Sequence, residues 1–356
     1  MMRGIAIAAM FLMVSAMFSS VDAAETKVHG RLYVHWGLDM TSEADGANEL
    51  ALGRSYVTVK SKLSDYTSLR ITTDLRETED NKGKTRYDVI VKYGYIDWKP
   101  KFGNKVLKLR FGLQPTPYID YQNKLWGRRY LSKTVGDKNK YLTSSDLGLS
   151  AHIALGEKGN IGSLFLGIFN GTSYSALGEE NKHKDVNLFA RLNPFWQNDD
   201  LGKTALTGQF YRGTQNKEIP DSVAASDYER QLISIGGLFS YRKLIDLGID
   251  LNWYNFGQGI NLEDKTSSGM SFHGTMYFNQ LFPDQLFLRT LNLFGRVDLN
   301  DPNTDNSDDG STYIIAGLEC VPTKGFKASI NLRSISFQDD TEVTEKYLFI
   351  NTLFKF

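Results

Sequence analysis

The chain has 356 residues, with 41 basic against 41 acidic side chains, 41% hydrophobic and 12% aromatic residues, 32 Gly and 8 Pro. Zero formal net charge excludes a nucleic-acid binder that works by bulk electrostatics, and a negative mean hydropathy excludes a bundle of transmembrane helices. A single cysteine, Cys320, excludes a disulfide framework and a cysteine-based zinc site. The first element in chain order is an export signal. Arg3 supplies a positive start, Ile5 to Phe18 is an unbroken run of apolar and small residues, and Val21-Asp22-Ala23 offers a small-residue cleavage site. The run is 14 residues long, short of the roughly 20 that a spanning helix needs. Residues 1–23 are therefore expected to be a signal peptide cut near Ala23, and 24–356 a single exported domain.

Beyond the signal the chain alternates apolar and polar residues. Over 28–38, Gly30, Leu32, Val34, Trp36 and Leu38 alternate with His29, Arg31, Tyr33, His35 and Gly37. Alternation sustained for eight to eleven residues predicts a strand with one apolar and one polar face, longer than the strands of most soluble sandwiches. Sixteen such segments follow in order: 28–38, 52–63, 67–75, 88–98, 106–114, 146–155, 161–169, 185–193, 202–211, 230–241, 246–254, 268–280, 286–298, 311–320, 326–336 and 346–356. The parity of 88–98 and of 230–241 is ambiguous, so neither receives a face.

The connectors carry further information. Short ones (64–66, 99–105, 156–160, 194–201, 242–245, 281–285, 321–325) alternate with long polar ones (39–51, 76–87, 114–145, 170–184, 212–229, 255–267, 299–310). Tight turns at one end and long loops at the other predict an all-β, transmembrane antiparallel β-barrel of sixteen strands, with short periplasmic turns and long external loops. Trp36 and Trp253 fall near the outer rim, and Trp98 and Trp196 near the periplasmic rim, where an indole can bury its ring and still bond at the headgroups. The last strand sends Leu348, Ile350, Thr352, Phe354 and Phe356 outward and ends on that Phe, a form similar to the assembly signal of bacterial outer-membrane proteins.

Several stretches resemble the phosphate-selective porin O and P family. They are Gly53-Arg54-Ser55-Tyr56 through Lys62-Leu63-Ser64-Asp65, Tyr95-Ile96-Asp97-Trp98-Lys99-Pro100, and Leu107-Lys108-Leu109-Arg110-Phe111-Gly112-Leu113-Gln114 with Pro115 and Pro117. Ile168-Phe169-Asn170-Gly171-Thr172 and 185–194 with Arg191 extend the resemblance over most of the mature chain. It implies a sixteen-stranded, homotrimeric channel in the outer membrane whose third loop enters the lumen. No phosphate-binding lysine or arginine of that family is carried onto a position of this chain.

Catalytic and metal-binding patterns are missing from the sequence. His29 and His35 share a strand face but lie roughly 20 Å apart, too far for one metal. His152, His183 and His273 have no ligand set nearby in sequence and read as lumen or loop residues. No Ser-His-acid pattern, phosphate loop or dinucleotide fingerprint is present. No enzyme activity or cofactor is expected, and a barrel hydrolase with scattered catalytic residues and a non-conducting adhesin or structural barrel remain the alternatives. The acidic stretch 301–309 lacks the twelve-residue calcium pattern and its terminal Glu, and reads as a solvated loop or an ion bridge to lipid phosphates. Cys320 falls on an apolar face as a small outward residue.

Charge distribution points to function more directly than net charge. Segments 39–51, 299–310 and 338–345 each carry four acidic and no basic residues, and 213–229 carries four against one. The connector 115–145, 31 residues long, reverses this with Lys124, Arg128, Arg129, Lys133, Lys138 and Lys140 against Asp120 and Asp137. A loop of that length in a compact structure is usually functional. Lys124, Arg128, Arg129 and Lys133 are the expected constriction residues, with Trp126 as an apolar anchor against the inner wall. Parity points Arg31, Arg54, Lys60, Lys62, Arg70, Lys108, Arg110, Arg191, Arg296, Lys327, Arg333 and Lys355 inward, against Asp74, Asp185, Asp246, Asp250, Asp298 and Glu319. An excess of inward cations in a narrow water column favours anions. The expected partners are outer-membrane lipids, small anionic or polar solutes such as phosphate, and two further copies of the chain, with no nucleic acid.

Overall fold

The computed structural model describes residues 25–79, 83–103, 106–176, 178–220, 223–259 and 262–356. The expected signal peptide lies outside them. Sixteen strands close one barrel: β1 (Glu25–Asp39), β2 (Asn48–Lys62), β3 (Thr67–Glu79), β4 (Thr85–Trp98), β5 (Leu107–Pro115), β6 (Ser145–Leu155), β7 (Gly162–Phe169), β8 (Asp185–Leu192), β9 (Ala205–Thr214), β10 (Glu229–Tyr241), β11 (Ile245–Phe256), β12 (Lys265–Tyr277), β13 (Leu291–Asp301), β14 (Ser311–Thr323), β15 (Phe326–Phe337) and β16 (Glu345–Lys355). Each strand pairs antiparallel with its sequence neighbours. β1 closes on β16 with Arg31 opposite Lys355 and Asp39 opposite Tyr347. Closure leaves no strand edge, so the backbone groups of the wall are paired internally.

Alternation along each strand sorts the side chains. Val57, Ile71, Phe111, Leu149, Leu166, Leu188, Ile235, Leu247, Phe272, Leu293, Ile314, Leu332 and Ile350 all point outward and are between 42% and 57% exposed. The alternate positions Thr58, Thr72, Asp74, Ser150, Asn187, Ser234, Asp250, Asn252, Ser271, Arg296, Asn331 and Asn351 are buried on the inner face. An apolar outside of this extent around a polar inside fits hydrocarbon and not water as the surrounding medium. Among the described residues no helix is long and apolar enough to cross a membrane.

The two strands without an assigned face explain themselves. In β4, Val89 and Val91 are exposed outward, yet Tyr93 pairs with the inward Thr72 and Lys92 is 5% exposed on the inner side. A β-bulge at Lys92 inserts one residue and inverts the alternation beyond it. In β10 the outward Ile233, Ile235 and Phe239 are matched by inward Leu232 and Leu238, so both faces are apolar. At Leu232 the inner face packs against another part of the chain and not against water.

Some expected boundaries shift. β2 begins at Asn48 and β3 pairs with β4 out to Glu79 opposite Thr85, which absorbs residues expected in the first two long loops. β13 starts at Leu291, not near 286, because 278–290 forms a longer turn at the short-turn end, stiffened by the Phe278–Phe282 ring contact and a 3₁₀ turn over Leu288–Thr290. The separation into short and long connectors is therefore less clean than the alternation of polar segments suggested. β9 begins at Ala205, which lengthens the 193–204 connector in the same way.

Candidate functional site

The connector between β5 and β6 folds into the barrel. Its exit requires glycine: Gly112 has φ +121°, and a Cβ there would lie 2.3 Å from the Gly94 carbonyl oxygen on the adjacent strand. Its two stems are zipped together, with Thr116 Oγ1 donating to the Thr143 carbonyl at 2.6 Å and the Thr116 N–H to the Ser144 carbonyl at 3.2 Å. A helix over Pro117–Trp126 follows, with proline pre-set for its first turn. It ends at Gly127, whose φ of +67° lets its N–H return to the Asn123 carbonyl.

Helical spacing puts Tyr118, Ile119, Gln122 and Trp126 on one buried face and leaves Asp120 and Lys124 toward open space. Tyr118 donates to Asp250 Oδ1 at 2.7 Å and Gln122 Nε2 to Thr207 Oγ1 at 3.0 Å. Ile119 joins Tyr141, Leu142, Tyr211 and Leu232 in an apolar cluster, which is why β10 turns an apolar Leu232 inward. Gly236 makes this approach possible, since a Cβ there would sit 2.0 Å from Gln122 Nε2. Trp126, Tyr130 and Leu131 then pack with Tyr33, Phe294, Tyr313, Ile315 and Leu353 on the far wall. Burying side chains the size of Ile119 and Leu131 contributes about 1.5–3 kcal/mol each to seating the loop. A helical turn over Val135–Lys138 completes the circuit, with Lys138 Nζ 3.6 Å from the Tyr313 ring centroid.

The seated loop leaves two water-accessible chambers that meet at Lys124 and Gly127. One, of about 710 Å³, lies against the β1–β4 and β16 wall. Its lining holds seven basic residues, Arg31, Lys60, Arg70, Lys92, Lys124, Arg129 and Lys355, against Asp120 and Asp137. The other, of about 640 Å³, lies toward β11–β14 and holds Lys124, Arg128, Lys203, Arg289 and Lys327 against Asp246 and Glu319.

The structure divides the residues singled out from sequence. Lys124 is ion-paired to Asp120 at 2.6 Å but stays 64% exposed between the chambers. Arg129 and Lys133 share Asp137, at 3.3 and 3.9 Å. Arg128 differs from the other three. It is buried, donates to Thr275 at 2.7 Å and pairs with Glu319 at 3.2 Å, so it holds the loop to the wall. Of the wall cations, Arg31, Lys60 and Arg70 border the larger chamber and have no carboxylate partner among the described residues, Arg70 bonding only Thr72 and stacking on Tyr93. Arg54 is tied to Asp74 at 2.6 Å, Arg110 to Asp97 at 2.6 and 2.9 Å, and Lys108 to Asp97 at 3.6 Å. Arg191 bonds the Gly159 carbonyl, and Arg333 bonds Asn331 and Asn351. Arg296 is 2% exposed, paired to Asp298 beneath the Trp126 ring, so the folded loop separates it from the chambers.

Sequence reading missed Lys92, Asp97 and Arg230. The first two lie on the bulged strand and the third on the strand whose inner face is apolar, so period-two alternation carried no signal for them. Burial pushes the ammonium groups of Lys133 and Lys138 below the ordinary lysine value, opposed at Lys133 by the Asp137 carboxylate and at Lys138 by Asp298. Among the described residues no group of three or more His, Cys, Asp or Glu is arranged to hold a metal ion.

No family model matches the chain, and no curated protein matches it in sequence. Its fold does match solved structures over nearly its whole length. An anion-selective porin from Comamonas acidovorans superposes with a TM-score of 0.64 at 10% identity, covering 94% of this chain and 100% of that one. OmpT of Vibrio cholerae, an outer-membrane protein, gives 0.64 at 11% identity over 95% and 99%. The outer-membrane channel DcaP of Acinetobacter baumannii gives 0.61 at 11% identity over 95% and 99%. The chain has the sixteen-stranded fold of outer-membrane porins. At these identities the likeness is one of fold.

Proposed function

We propose that the protein is an outer-membrane porin, a passive water-filled channel for small hydrophilic solutes that prefers anions, phosphate or similar ions among them. The observation that carries this reading is the 710 Å³ chamber between the inward-folded loop and the β1–β4 wall, where Arg31, Lys60 and Arg70 have no carboxylate ion-pair partner among the described residues. A cation in the wall of a narrow water column surrounded by low-dielectric material projects its field across that column, whereas a paired one largely cancels. Passage is thus biased by the unpaired residues, with Lys124 and Arg129 facing them from the loop. The fold likeness to an anion-selective porin and the sequence resemblance to the phosphate-selective porin O and P family both support the reading. An OmpT structure described as a trimer form supports a homotrimer. Under this reading the short-turn end is periplasmic, the signal peptide is removed near Ala23, and the protein catalyses nothing.

The test is planar-bilayer recording in a salt gradient. Wild-type protein is expected to give a zero-current potential on the anion side. Replacing Lys124, Arg129 and Lys133 together by Gln is expected to move it toward cations, and an unmoved potential in a folded triple variant would remove the loop from selectivity. The same measurement has a pH arm. Because burial lowers the pKa of Lys133 and Lys138, both lose charge at lower pH than an exposed lysine. Anion preference is therefore expected to begin to decline at a lower pH than the range, about 10.4, in which ordinary lysines titrate. A preference constant until that range would show that neither lysine contributes.

A further inference from the structure

A second loop also reaches inward, and its contacts are of a different kind. The connector from β7 to β8 is pinned at its base to Asp146, which accepts from the Gly171 N–H at 2.8 Å and from Thr172 Oγ1 at 3.1 Å, while Arg230 donates to the Gly171 carbonyl at 2.6 Å. Farther along, Asn181 Nδ2 donates to the Gln215 carbonyl at 2.8 Å. Between these anchors Tyr174 leaves its own side of the barrel. Its hydroxyl lies 3.4 Å from Asp74 Oδ2 on β3, the oxygen that Arg54 of β2 grips at 2.6 Å. Its ring centroid lies 4.9 Å from Lys92 Nζ on β4. In the strand order β5 and β6 separate that wall from β7, so the segment 170–174 crosses above the stems of the folded loop.

Lys92 is thereby enclosed. Tyr56 and Tyr93 lie 5.2 and 5.9 Å from its ammonium, and Tyr174 supplies a third ring from another part of the chain. The faces of three phenol rings hold a cation through their quadrupoles and also keep it from water. Two of those rings belong to the barrel wall, and the third is on a connecting loop. Asp74 beneath is fully buried, with its Oδ1 unbonded among the described residues.

We propose that Tyr174 is a specificity-determining residue, a latch that masks Lys92 and Arg54 and so ends the line of accessible cations below the long-loop mouth. The proposal rests on the channel reading above. With the latch closed, the charges that solutes meet are those of Arg31, Lys60, Arg70, Lys124, Arg129 and Lys355, while Lys92 borders the same chamber with only 5% of its surface exposed. When it is open, Lys92 loses one wall of its enclosure and Arg54 loses a neighbour on its carboxylate. Lys92 and Arg54 share the single Asp74 carboxylate, at 4.0 and 2.6 Å, so opening adds one net positive charge toward the long-loop rim.

Two measurements test this, one of them independent of conduction. The first is labelling of Lys92 by a small sulfonated acetylating reagent, read by mass spectrometry on folded protein in detergent. Wild-type Lys92 is expected to resist, and the Tyr174→Ala variant to label several-fold faster, with Tyr174→Phe close to wild type because the ring remains. Equal labelling in wild type and Tyr174→Ala would overturn the latch whether or not the protein conducts. The second is bilayer recording. Tyr174→Ala is expected to raise conductance by roughly twofold and move the zero-current potential further toward anions. Adding Lys92→Gln should keep the conductance gain and cancel the shift. A larger conductance with unaltered selectivity would overturn the specificity role. A wild-type protein that never conducts would fail the channel reading, leaving the labelling difference to decide the latch.

Discussion

Phe111→Arg is expected to lower the stability of the folded barrel by about 2–4 kcal/mol, the cost of an arginine at the hydrocarbon midplane of a membrane barrel. Phe111 sits at the middle of β5, points outward and is 50% exposed, with Ile96 of β4 and Leu149 of β6 opposite it in the sheet. At mid-strand a guanidinium has the longest path to either headgroup layer, and apolar neighbours on both sides offer it no hydrogen bond. Lys60→Gln on the inner face is the matched control. Lys60 borders the large chamber, where water solvates either residue, so folding should be unchanged. The measurement is a urea titration of refolding into lipid vesicles, scored by the mobility difference between unheated and boiled samples. Indistinguishable midpoints for the two variants would mean that β5 does not face lipid as its alternation says.

Legibility followed a single physical rule. Where a strand separates hydrocarbon from water, alternation is enforced residue by residue, and β1, β8 and β11 could be read position by position. The rule fails where either condition fails. Lys92 breaks the period by inserting a residue, and Leu232 removes the water by packing against Ile119 of the folded loop. Both failures lie in the inner wall, on strands that meet an inward-folded loop. The same limit applied to the site. Length and charge marked the connector between β5 and β6 as special, but its partners lie far along the chain, such as Asp250 for Tyr118 and Glu319 for Arg128. Charge counting treats all inward cations alike, so it could not separate the unpaired Arg31, Lys60 and Arg70 from Arg54, Arg110 and Arg296, whose carboxylates lie on the same strand or its neighbours. Nor could it anticipate that Arg128 would serve the loop's attachment and not its open face.

That attachment sets the last expected result, an effect comparable to the first but confined to the loop. Glu319 is 1% exposed and accepts from four donors: Arg128 Nη2 at 3.2 Å, Asn292 Nδ2 at 3.0 Å, Tyr130 hydroxyl at 2.9 Å and Lys327 Nζ at 3.2 Å. Two of those donors, Arg128 and Tyr130, belong to the inward-folded loop. Glu319→Ala leaves the Arg128 cation, itself 3% exposed, without its counter-charge. Breaking a buried ion pair from one side costs about 3–5 kcal/mol. The barrel wall does not depend on this contact, since β14 keeps its backbone pairing with β13 and β15. The cheapest relief is for residues 126–131 to leave the wall. Glu319→Ala is therefore expected to keep wild-type sheet content and gel mobility while conducting more and flickering as the loop moves. Removing both charges, Glu319→Gln with Arg128→Met, should restore much of the quiet wild-type current, because no buried cation is left without a counter-charge and the amide oxygen can still accept from Tyr130 or Asn292. If the single variant carried a wild-type current without added noise, the Glu319 cluster would not be what holds the loop, and the packing of Trp126 and Leu131 against Phe294 and Ile315 would have to be sufficient by itself.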